Sequence, residues 1–170
     1  KSPFTGVVPK PDLKSYLNRR QRISVGEETE YAYLATLEAF KNANLELDYF
    51  ERNEVGILYG NDSVSKAVIE ATDIVRDKKD TALIGSGAIF KSMNSTVTMN
   101  LSTLFKLTGM NMTVSAACAS GSHAIGLAYM LIKGGLQNMV ICGGAQEINK
   151  YAMVINNLSN ENFKIHSFYG

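Results

Sequence analysis

Apolar positions fall about one turn apart through EETEYAYLATLEAFKNANL (27–45), where Leu34, Leu37 and Phe40 or Lys41 line up among good helix formers. That spacing predicts a helix. EVGILYG (54–60) is a short apolar run closed by Gly60, which reads as a buried strand. SVSKAVIEATDIVRDKK (63–79) gathers Ala67, Val68, Ala71, Ile74 and Val75 on one face, a second helix. DTALIGSGAIF (80–90) reads as a glycine-bearing loop, and KSMNSTVTMNLSTLFKLTG (91–109) as a helix stopped at Gly109, its threonines weakening it. NMTVSAA (111–117) is a strand, SGSHAIGLAYMLIKGG (120–135) a helix ended by two glycines, and NMVICGG (138–144) another strand. Residues 1–26 carry three prolines and no sustained period, and the polar, asparagine-rich tail from Asn149 predicts no element. Strands alternating with helices imply an α/β domain whose mostly parallel sheet is covered on both faces.

Composition narrows the function classes. The chain has 170 residues, 45% of them hydrophobic, enough for one packed domain and too few for two ordinary ones. A formal net charge of +1 argues against general nucleic-acid binding. NRRQR (18–22) is the one dense basic patch, a solvated face or a docking site. Two cysteines make no disulfide framework, and no paired metal-ligand spacing is present. GSG (85–87) is too short for a phosphate loop, so no cofactor is implied. Without a membrane-length apolar run or a signal-peptide core, the expectation is a soluble cytoplasmic protein.

The chemistry concentrates at Cys118, set among Ala116, Ala117, Ala119, Ser120 and Gly121 between a predicted strand and a predicted helix. A cysteine nucleophile acts as its thiolate, and free N–H groups at a helix N-terminus favour that form. The same N–H groups can hold an oxyanion developing on a thioester carbonyl. From the residues alone, a small buried hydrophobe at a crowded turn fits as well. His123 lies five residues on and faces away from the first turn, so it reads as structural rather than as a general base. His166 has no motif around it, and Cys142 in MVIC reads as a core residue of a buried strand.

TVSAACASGSHAIGLAYMLIKGGLQNMVICGGAQE resembles the nucleophile region of the β-ketoacyl-(acyl carrier protein) synthases: a strand, an alanine-cysteine-small turn, a helix with histidine and Ile-Gly, then a glycine-ended strand and an acidic residue. MNSTVTMNLSTLFKLTGMN and YLNRRQR followed by EYAYLATLEAFKNANL are similar to earlier segments of the elongating (class I and II) members, so the likeness covers about residues 9–149. It implies a thiolase-like fold of α/β/α/β/α layers, with residues 1–170 an incomplete N-terminal half and the strand at Asn111 to Ala117 pairing across a homodimer twofold. It implies Cys118 as acyl acceptor, with its N–H in the oxyanion hole, and Arg19, Arg20 and Arg22 in the region that meets acyl carrier protein. It also implies decarboxylative extension of the acyl chain by a malonyl unit, in fatty-acid or polyketide synthesis. Three departures stand out: the family's two catalytic histidines and lysine belong to a second half beyond this chain, the family's usual first strand has no counterpart here, and NKYAMVINNLSNENFKIHSFYG departs from the family pattern. A chain that does not condense alone is therefore expected. A non-catalytic chain-length or dimerisation subunit, a thiol hydrolase, or another cysteine acyltransferase of the thiolase superfamily stays open.

Overall fold

The computed structural model describes residues 8–152. Strand β1 (Gly56–Gly60) is buried along its whole length. It lies between β2 (Asn111–Val114) and β3 (Val140–Gly144), parallel to both. Ile57 sits opposite Asn111 on one side and Ile141 on the other. Parallel neighbours need long crossovers. Helices α3 (Lys66–Lys78), α4 (Ala88–Lys91) and α5 (Thr96–Phe105) fill the one from β1 to β2, and α6 (Ser120–Lys133) the one from β2 to β3. Helices α1 (Glu27–Asn42) and α2 (Tyr49–Arg52) precede β1. The expected parallel α/β sheet flanked by helices is what forms.

Side-chain alternation along β1 assigns the two faces. Ile57 and Tyr59 join a cluster with Tyr33 and Phe40 of α1, Phe50 of α2, and Val97, Leu101 and Phe105 of α5. Its rings interlock: Phe40 and Phe50 centroids lie 4.4 Å apart, and Tyr33 stacks on Phe105 at 5.1 Å. Leu58, the alternate residue, lies on the other face and outside this cluster; there α6 packs on β1 and β3 through buried Ala124 and Ala128. Acidic Glu27, Glu28 and Glu30 occupy the first turn of α1, where the helix dipole favours them.

The structure corrects several boundaries. The helix expected over 91–109 runs only from Thr96 to Phe105, and Lys106, not Gly109, takes the left-handed cap at φ 56°. Gly109 instead packs where a side chain would strike Gln137 and the backbone at Val55. The helix expected over 63–79 forms, yet its apolar face has no buried residue: Val68 is 46% and Val75 36% exposed. Helix α4 begins inside the expected 80–90 loop. On α1 the core side is Ala32, Tyr33, Thr36 and Phe40, with Leu34 and Leu37 only partly buried. The irregular opening still sends Leu13, Leu17 and Val25 into the core.

Candidate active site

Strand β2 ends at Val114, short of the expected Ala117, and the chain then turns sharply into α6. Ala117–Ala119 form one 3-10 turn, with Cys118 exposed at its centre. Ala117 has φ +47°, a left-handed conformation that costs an alanine about 1–2 kcal/mol. Side chains brace the turn. Ser120 Oγ accepts the Ala116 N–H at 2.8 Å and donates to the Ala117 carbonyl at 2.7 Å. Asp62 Oδ1 accepts the Ser115 hydroxyl at 2.7 Å and the Ala117 N–H at 2.9 Å. These two bonds hold the Asp62 carboxyl below the usual carboxylate range. The Ala119 N–H goes to the Ala116 carbonyl at 3.0 Å. The N–H groups of Ala116, Ala117 and Ala119 are thus engaged on either side of Cys118.

Close helix–sheet contact brings the turn to the carboxyl ends of the strands. A side chain at Gly60 would collide with the backbone of Ser120 and Gly121, and one at Gly144 would meet the Gly121 Cα at 3.1 Å. In front of this contact lies an open cavity of about 760 Å³, reached by Asp62, Ser65, Cys118, Gly121, Gln146 and Glu147. The crevice outside the carboxyl ends of parallel strands is the usual ligand position in open α/β sheets. Glu147 is buried on its far wall. Its carboxylate accepts the Ser65 N–H at 2.6 Å, the Ser65 hydroxyl, and the Lys66 N–H at 3.3 Å, capping α3.

The other candidates separate. Cys142 is half-buried on edge strand β3, not in the core as expected, and desolvation pushes its thiol up. His123 is exposed, off the Ala124–Ala128 face of α6, and no hydrogen bond of its ring is found among the described residues, so the partner expected of a structural histidine is not seen. His166 lies outside the described residues. Arg19 and Arg20 are exposed, whereas the Arg22 Nε–H donates to the Leu17 carbonyl at 3.1 Å. No cluster of acidic, cysteine or histidine side chains suited to a metal occurs among the described residues. Asp62 escaped the sequence reading of the site, and Ser120 and Glu147 entered it only as a small neighbour of Cys118 and as the acidic residue after the glycine-ended strand, without these bonds. Their partners lie on other elements or in the turn itself; for Asp62 the visible signal was a polar Asn-Asp pair directly after a buried strand.

Comparison with known proteins points one way. Residues 14–159 match the family model "Beta-ketoacyl synthase, N-terminal domain". The 3-oxoacyl-[acyl-carrier-protein] synthase 1 of Buchnera aphidicola subsp. Schizaphis graminum is 36% identical over 121 residues, 70% of this chain and 30% of that protein. The enzyme of the same name from Escherichia coli K12 is 30% identical over 141 residues, 82% of this chain and 35% of its own length. The chain thus spans about a third of the curated relatives it matches. A β-ketoacyl synthase from Burkholderia phymatum STM815 superposes with a TM-score of 0.77 at 29% identity, over 88% of this chain and 37% of its own. A type II polyketide ketosynthase complex with its acyl-carrier protein matches with a TM-score of 0.73, over 89% of this chain and 43% of the matched one; at 24% identity it shows the fold.

Proposed function

The chain belongs to the β-ketoacyl synthase family through that family's N-terminal domain, and its fold is thiolase-like; from that premise we propose that it supplies the acyl-accepting half of an elongating condensing enzyme. The observation that carries this reading is an exposed cysteine on a strained strand-to-helix turn, opening on a cavity at the carboxyl ends of the strands. Cys118 Sγ attacks the thioester carbonyl of an acyl carrier protein. The carrier's thiol leaves with a proton, and the acyl chain stays on Cys118 as a new thioester. The Cys118 N–H, flanked by engaged neighbours, donates to the oxyanion formed on the way. A malonyl group then loses carbon dioxide, and its carbanion attacks that thioester and frees Cys118.

Decarboxylation needs the histidines that the family resemblance places in a second half, and no histidine lies beside Cys118 in its cavity among the described residues. The chain alone therefore accepts acyl groups without condensing them. Arg19 and Arg20, exposed and without a side-chain bond among the described residues, suit contact with an acidic carrier protein better than Arg22. In this reading the enzyme works in the cytoplasm as a homodimer, with residues 1–170 as a partial N-terminal domain. The outer edge of β2, which no strand covers among the described residues and where Asn111 and Met112 are exposed, is the pairing surface.

Incubation with a short acyl-pantetheine thioester, followed by intact mass measurement and peptide mapping, tests the proposal. One acyl group is expected on Cys118 and none in Cys118→Ala. An acyl-free wild-type protein, or one acylated elsewhere, defeats the reading and favours a non-catalytic subunit of the same fold.

A further inference from the structure

Serine bonds inside the turn do not explain why Ala117 stays at φ +47°. Ser120 satisfies the Ala116 N–H and the Ala117 carbonyl, both within its own turn, and leaves the Ala117 N–H free. That group is held from outside the turn, by a carboxylate at the end of the neighbouring strand. Asp62 Oδ1 takes the Ala117 N–H and the Ser115 hydroxyl together, so one oxygen fixes two alternate residues just before Cys118. Asp62 is itself anchored. Its carbonyl accepts Asn94 Nδ2 at 2.8 Å, and the Asn94 carbonyl accepts Asn61 Nδ2 at 3.0 Å. The Asn61 N–H meanwhile extends the ladder to the Val114 carbonyl at 3.1 Å. The bracket therefore runs from α5's approach, through the end of β1, to the turn.

We propose that Asp62 is the positioning residue of the nucleophile, acting through Ala117 to aim the Cys118 side chain and N–H at the cavity. Both bonds from its Oδ1 go to neutral donors of the turn, so it serves there as an acceptor. Its use is geometric: an acceptor that fixes a strained backbone. Strain of this kind persists only where surrounding structure holds it, and it clusters at working sites. Misplacing a nucleophile by about 1 Å costs about 100-fold in rate.

The inference rests on Cys118 as acyl acceptor, and its test keeps the two apart. Full-length wild-type, Asp62→Ala and Asp62→Asn proteins are compared for acyl transfer from acyl-pantetheine to Cys118. Iodoacetamide alkylation of Cys118 and of half-buried Cys142 is followed in the same samples. Asp62→Ala is expected to slow acyl transfer about tenfold or more, with Cys142 alkylation unchanged. Asp62→Asn keeps an oxygen acceptor without the charge, and recovers most of the lost rate. Equal acyl transfer in wild type and Asp62→Ala overturns the inference alone. So does equal acceleration in both variants, which would make the charge decisive, or a loss matched by faster Cys142 alkylation, which would signal unfolding. A wild-type protein that alkylates at Cys118 but takes no acyl group overturns the functional reading itself.

Discussion

The two faces of the central sheet are built on opposite plans. On one, α1, α2 and α5 send large rings and aliphatic chains against Ile57 and Tyr59, and the cluster fills itself. On the other, α6 meets the sheet through Ala124 and Ala128, while Ile125, Tyr129, Met130 and Ile132 stand exposed. Small residues let α6 come so near that Gly60 and Gly144 touch the Ser120–Gly121 backbone. That approach delivers the Cys118 turn to the strand ends. One face therefore carries stability by volume, and the other carries chemistry by proximity.

The sharpest way to break this contrast is a pair of truncations. Leu101→Ala removes a fully buried side chain from the ring cluster and leaves a cavity that rigid neighbours cannot fill. A loss of about 3–4 kcal/mol is expected by urea titration. Ile125→Ala, on the exposed side of α6, should stay within about 0.5 kcal/mol. Comparable losses at both positions would show that α6 contributes far more stability than its exposure implies.

Acidity sharpens the contrast, since the dense face also buries a carboxyl. Glu28, in the first turn of α1, is 2% exposed, and its Oε1 has no partner among the described residues. Burial raises its pKa from an ordinary 4.5 to about 7, with Glu147, Glu27 and Glu30 adding repulsion. The folded state then binds the Glu28 proton more tightly than the unfolded chain does. Stability from this group is fully present below about pH 4.5 and is lost as pH rises through about 7. At pH 8, Glu28→Gln should be more stable than wild type by up to about 3 kcal/mol, and near pH 4 the two should coincide. Urea midpoints for both proteins across that range check it. A constant difference would mean that Glu28 titrates alike in the folded and unfolded states, with no upward shift.

Legibility in the sequence followed the same division. Strand β1 was plain because a continuous apolar run has few other uses, and α1 and α6 were plain from composition and period. The Cys118 turn was readable because small residues crowded between a strand and a helix imply close backbone approach. The roles of Asp62, Ser120 and Glu147 were not, because each is defined by what it bonds: backbone N–H groups presented only once the fold is made. The face of α1 was misjudged by one position, since Tyr33 and Thr36 pack inward while Leu34 and Leu37 lie at the margin. Aromatic stacking and the Thr36 hydroxyl's bond to the Ala32 carbonyl at 2.7 Å decided that, not hydropathy. One helix end was misjudged, at α5, where Lys106 took the conformation expected of Gly109.

A second lysine cap, on α3, gives the smallest effect and the most local. Lys79 caps α3 at φ 54°, its N–H on the Val75 carbonyl at 2.8 Å. Glycine adopts this conformation freely, whereas any residue with a Cβ pays steric cost there. Replacing Lys79 by glycine also removes a cation from the helix C-terminus, a loss of a few tenths of a kcal/mol. Lys79→Ala shares that loss and keeps the steric cost, so the two variants compared directly isolate the backbone effect. Glycine should exceed alanine by about 1 kcal/mol. Because α3 buries no residue, it opens on its own more readily than α1 or α5. The difference should therefore appear as slower hydrogen exchange confined to α3 amides, with the global urea midpoint almost unmoved. Equal gains in α3 and in the ring cluster would show that α3 unfolds only with the dense face, and that the two plans form one cooperative unit.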